Sequence, residues 1–78
     1  MKNLKFNIND VFRSRSNDLW LIVDIENAEY GIQAYKLLDP DKEIRYFSRL
    51  GEELIGLESP NDLLYYAGTI DDFIEYLL

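Results

Sequence analysis

Apolar and polar residues alternate over residues 4–9, with Leu4, Phe6 and Ile8 set against Lys5, Asn7 and Asn9. That period of two predicts a half-buried strand, and Asn9-Asp10 supplies a turn before Val11-Phe12. A polar stretch over 13–18, ending in the turn formers Asn17-Asp18, separates this strand from residues 19–26, the clearest strand pattern in the chain. Its odd positions Leu19, Leu21, Val23 and Ile25 are all apolar, whereas its even positions end in Asp24 and Glu26. The odd set is therefore expected to face the core, and the even face to become wet toward Glu26. Asn27-Ala28 or a somewhat longer loop closes a hairpin, since Asn tolerates positive φ. Residues 29–38 return as a third strand, Asp39-Pro40-Asp41-Lys42 turns with Pro in its favoured place, and residues 43–48 form a fourth.

Residues 51–68 admit two readings. In one, residues 53–57 and 63–66 are short strands joined at Ser59-Pro60-Asn61-Asp62, completing a barrel. In the other, Ser59 caps a helix with Pro60 at its first position and Asp62 in its first turn, ended by Gly68. Leu and Tyr in short runs favour the strands. The terminus carries a helix signature over about 69–78: Thr69 and Asp72 stand at capping-box spacing, Asp71 and Asp72 suit the positive end of the helix dipole, and Ile70, Phe73, Ile74 and Leu77 recur at i, i+3, i+4 and i+7. The expected fold is α+β and mainly β: a small antiparallel sheet or barrel of four to six strands with a C-terminal amphipathic helix, in one domain spanning 1–78.

Charge changes this picture most. Every base lies at or before Arg49: residues 1–51 hold eight acids and eight bases, and residues 52–78 hold seven acids and no base, so the whole net charge of −7 belongs to the last third. These acids, Glu52, Glu53, Glu58, Asp62, Asp71, Asp72 and Glu75, are interleaved with Tyr65, Tyr66 and Tyr76. An anionic, aromatic face repels nucleic acid and attracts basic surfaces. Hydrophobic residues at 47% argue against disorder, and the absence of cysteine excludes disulfides and thiolate metal sites and fits a reducing cytoplasm. The N-terminal residues lack the apolar run of a signal peptide, and the longest apolar stretch, residues 19–23, is far short of a membrane span, so neither export nor membrane association is expected.

Catalytic chemistry finds little to work with. Without histidine or cysteine the usual general base, thiol nucleophile and transition-metal ligands are missing, and Ser14, Ser16, Ser48 and Ser59 read as turn or cap residues. Asp39-Pro40-Asp41-Lys42-Glu43 offers alternating oxygens, but Ile44 and Leu50 stand where a calcium loop needs its glycine and terminal glutamate. No phosphate-cradling glycine loop is present. Lys2, Lys5, Arg13 and Arg15 make too small a basic cluster for direct nucleic-acid binding in this field. No enzyme, metal or cofactor is expected.

The segments Phe6-Asn7-Ile8-Asn9-Asp10-Val11-Phe12, Trp20-Leu21-Ile22-Val23-Asp24-Ile25 and Tyr30-Gly31-Ile32-Gln33-Ala34-Tyr35 resemble the start of a Src-homology-3-like small barrel, with Asn9 where such barrels commonly carry Gly. The resemblance implies a fold, and no peptide-groove residue is carried over from it. In general character the chain is similar to small acidic phage-encoded inhibitors, including anti-CRISPR and DNA-mimic proteins. The expectation is a non-enzymatic protein-binding module or inhibitor, using Glu52, Glu53, Glu58, Asp62, Tyr65, Tyr66, Asp71, Asp72, Glu75 and Tyr76 to engage a basic site on another protein, such as a nucleic-acid-handling complex. The alternative is an assembly subunit that self-associates through sheet edges or through the apolar even positions Trp20 and Ile22.

Overall fold

The computed structural model describes residues 5–27, 31–54 and 56–77, so Leu4, Ala28, Glu29, Tyr30, Ile55 and Leu78 of the expected elements lie outside the described residues. Strands β1 (Asp10–Ser14), β2 (Leu19–Asn27), β3 (Gly31–Lys36), β4 (Ile44–Phe47) and β5 (Leu63–Thr69) form one antiparallel sheet in the order β4-β3-β2-β1-β5, followed by a 3-10 helix, Ile70–Tyr76. Of the two expected forms, sheet or barrel, the open antiparallel sheet is the one formed. Its edge strands β4 and β5 do not pair, and the connection between them fills the gap: the Ser48 N–H donates to the Glu52 carbonyl at 2.8 Å and the Leu63 N–H to the Gly51 carbonyl at 2.8 Å. Gly51 sits at φ +80°, and a Cβ there would come within 2.9 Å of the Leu63 carbonyl oxygen, so this close approach requires glycine.

The first strand lies later than the alternation suggested. Asn9 takes φ 77° and Asp10 accepts the Asn7 N–H at 3.2 Å, which makes a turn of the expected strand end. Pairing starts at Asp10 and runs through Arg13 and Ser14, expected as loop, because β1 is hydrogen-bonded on both sides, to β2 and to β5. The loop proper is residues 15–18, with Asn17 at φ 72° and the Ser14 N–H donating to the Asp18 carbonyl at 2.8 Å. Phe6 is buried outside any strand, and Ile8 is exposed.

Both faces of β2 are buried, which corrects the expectation of one core face. Trp20 and Ile22 are fully buried with Phe12, Ile32, Ala34, Phe47 and Leu63 on one side, and Leu19 and Leu21 pack with Val11 and Leu37 on the other. A register shift between Ile22 and Asp24 leaves Val23 unpaired and exposed, so the pleat changes parity and Ile25 joins the side of Trp20 and Ile22. Self-association through Trp20 and Ile22 is thereby removed, since neither side chain reaches the surface.

Residues 59–62 form a turn, with the Asp62 N–H donating to the Ser59 carbonyl at 3.1 Å, and the strand reading holds from Leu63 onward. The other short strand expected at 53–57 reduces to a single bridge between Leu54 and Leu57. At the terminus Asp72 accepts the Thr69 N–H at 3.0 Å, the expected capping arm, but the helix that follows is 3-10 and kinked at Phe73. Three residues per turn align Ile70, Phe73 and Tyr76, so Ile70 and Phe73 pack on the Leu19 side of the sheet while Ile74, expected in the buried stripe, is exposed. The expected amphipathic α-helix is not formed.

Candidate functional site

The seven carboxylates of the last third divide into two sets. Asp62, with only 3% of its side chain exposed, accepts the N–H groups of Glu53 and Ser59 at 3.0 Å each and the Arg15 guanidinium at 3.2 Å. Burial pushes the Asp62 carboxyl up, but the two N–H donors and Arg15 outweigh it and hold the group below the usual carboxylate range. Glu53, 15% exposed, accepts from the Ser59 hydroxyl, the Arg45 guanidinium and the Asn61 amide. Burial again acts upward and is again outweighed, by the hydrogen bonds from Ser59, Arg45 and Asn61. Arg45 is gripped by Glu43 first and Glu53 second, which raises its guanidinium above the ordinary value.

Asp62 and Glu53 are therefore not available to a partner, contrary to their expected place in the docking surface. The physical cause is local. A connection without regular structure must satisfy its own backbone N–H groups, and a carboxylate beside an arginine does so in a half-buried loop. Arg15 and Arg45, both outside the last third, supply the counter-charge, a pairing that no local pattern reveals.

Of the other five, four remain outward. Asp71, Asp72 and Glu75 are exposed, and none enters an ion pair among the described residues. Glu58 is exposed and 3.8 Å from Arg15, and Glu52 is half-buried. Tyr65 and Tyr66 are 64% and 57% exposed on the edge strand β5. Tyr66 stands edge-on to Phe12 with ring centroids 5.7 Å apart, and Tyr76 edge-on to Phe73 at 5.6 Å, so each ring is braced while part of its surface stays in water. Register shifts at Val11/Phe12 and Arg13/Ser14 leave Ala67 and Leu64 as the extra residues of β5, placing both tyrosines between two bulges. Such bulges twist an edge strand away from flat pairing with another sheet.

Sequence reasoning missed a cleft of about 500 Å³ beside the helix, lined by Arg13, Lys36, Leu37, Leu38, Phe73 and Tyr76 among others. Its acids are occupied: Asp18 accepts from Ser16 and pairs with Lys36 at 3.6 Å, and Asp39 accepts the N–H groups of Asp41 and Glu43. The cleft assembles from four separate segments, so no motif announces it. Among the described residues no cluster of His, Cys, Asp or Glu is placed to hold a metal ion, and no helix is long and apolar enough to cross a membrane. Compared with known proteins, the chain matches no family model, no curated protein and no solved structure.

Proposed function

We propose that this is a non-enzymatic protein-binding module that engages a basic site on another protein through β5 and the 3-10 helix, acting by occlusion. The observation that carries the reading is the exposure of the consecutive residues Tyr65 and Tyr66 on the edge strand β5, followed in the chain by Asp71, Asp72 and Glu75, none of which meets a cation among the described residues. Large, rigid aromatic rings give contact area at low entropic cost, and unneutralised carboxylates favour a partner rich in Lys and Arg, such as the phosphate-facing surface of a nucleic-acid-handling complex. Relative to the surface expected from sequence, Glu53 and Asp62 drop out, and Glu58, Tyr65, Tyr66, Asp71, Asp72, Glu75 and Tyr76 remain with a half-buried Glu52.

The test is affinity capture from the native host at low and high ionic strength with the wild type, with Asp71→Lys/Glu75→Lys, and with Tyr65→Ala/Tyr66→Ala. Asp72 is left in place because it caps the helix. A partner held by the wild type at low salt and lost by both variants supports the reading; retention of the same partner by both variants contradicts it.

A further inference from the structure

The connection between β4 and β5 inverts the usual arrangement of side chains. Two of its four acids turn inward, Glu53 and Asp62 being 15% and 3% exposed, while Leu54 and Leu57 point out at 53% and 63%. A buried carboxylate is the unusual part of this arrangement, since acids are rarely buried unless paired. The inversion is fixed by a dense set of bonds. The Leu57 N–H donates to the Leu54 carbonyl at 3.0 Å, the Glu53 N–H is held by Asp62, and the Glu53 carboxylate is held by Arg45, Ser59 and Asn61. Gly56, at φ +80°, has open space around the position of a Cβ, with none of the described residues beyond its chain neighbours within 4 Å. The two leucines are thus presented outward from a connection whose residues Glu53, Ser59, Asn61 and Asp62 are tied to one another by hydrogen bonds.

Charge decides what covers them. The turn is flanked in sequence by the half-buried Glu52 and by Glu58, which is exposed although 3.8 Å from Arg15, and no base follows Arg49. A second copy would bring another net charge of −7 against this one, which disfavours self-association. We infer that Leu54 and Leu57 are an apolar anchor for a basic amphipathic helix of another protein, whose apolar stripe packs on the leucines while its flanking Lys and Arg side chains face Glu52 and Glu58. The inference deepens the reading of a basic partner and rests on it, but it uses different residues.

The experiment measures, by calorimetry, the affinity of a designed Leu/Lys amphipathic helical peptide and of a sequence-scrambled isomer of equal charge. The proteins are the wild type, Leu54→Ser/Leu57→Ser, the single variant Leu57→Lys, and Asp71→Lys/Glu75→Lys. Both leucines are exposed, so circular dichroism and melting are expected to show an intact fold, and the single variant serves if the double one does not fold. The wild type is expected to prefer the amphipathic peptide, and the leucine variants to lose roughly tenfold or more of that affinity. Equal binding of the two peptides, or leucine variants that bind as the wild type does, overturns the inference. So does a wild-type dimer in sedimentation that the double serine variant abolishes, since the occupant would then be a second copy. If only Asp71→Lys/Glu75→Lys weakens binding, the leucine anchor fails while the tyrosine and carboxylate surface stands; if only the leucine variants weaken it, the reverse holds.

Discussion

Gly68 shows how a single residue joins the sheet to the helix. It sits at φ +148°, and a Cβ there would fall 2.6 Å from the Asp72 Oδ2 that caps the Thr69 N–H. Gly68→Ala is therefore expected to lower stability by about 1–3 kcal/mol in denaturant unfolding, through backbone strain and loss of the cap together. A change within a few tenths of a kcal/mol would show that the close approach is absent. Asp62 is the second such residue. Asp62→Asn leaves an acceptor for one N–H but removes the charge that Arg15 meets, and it is expected to cost about 1–3 kcal/mol in the same measurement. The Thr69 and Asp72 pairing was legible in the sequence because both partners are local. The inward turn of Asp62 was not, because its arginine lies on the far side of the chain, beyond β1.

At the scale of elements, the period of the helix and the chemistry of the connection each give a measurement. In a 3-10 helix Phe73 packs and Ile74 does not, so Phe73→Ala is expected to cost about 1–3 kcal/mol, and Ile74→Ala less than about 0.5 kcal/mol. An α-helix with the stripe read from the sequence would make both costly. The connection carries the pH dependence. Asp62 and Glu53 both titrate below their ordinary values of 3.8 and 4.5 when folded, so protonating them favours the unfolded chain. Their stabilisation is fully present above those ordinary values and is lost as the pH falls through the lower, folded values. Acid unfolding of the wild type is therefore expected to steepen below about pH 4.5, and Asp62→Asn to flatten it. A pH-independent difference between the two proteins would contradict the placement of Asp62. Strand patterns at 19–26 and 43–48, the turn at Pro40 and the capped terminus were legible because each is local. The start of β1, the parity change at Val23 and the open sheet were not, since they depend on which strand each backbone finds as a neighbour.

Over the whole molecule, the acids that turn inward meet arginines, whereas the exposed acids of the C-terminal helix enter no ion pair among the described residues. Arg15 and Arg45 neutralise acids of the last third in the folded chain, yet Asp71, Asp72 and Glu75, on the helix that follows the edge strand of Tyr65 and Tyr66, stay exposed and outside any ion pair among the described residues. The bulged edge of β5 and the net charge of −7 argue against association of like copies, so the protein alone is expected to sediment as a monomer at low and at high salt. The central claim is that the outward tyrosines and carboxylates hold a basic partner. Its most direct test is the salt dependence of affinity between the captured partner and the wild type, set against Asp71→Lys/Glu75→Lys. Affinity of the wild type is expected to fall steeply as salt shortens the Debye length below its roughly 8 Å physiological value, and the variant to bind weakly at every salt concentration. A wild-type affinity indifferent to salt and shared by the variant would contradict the claim.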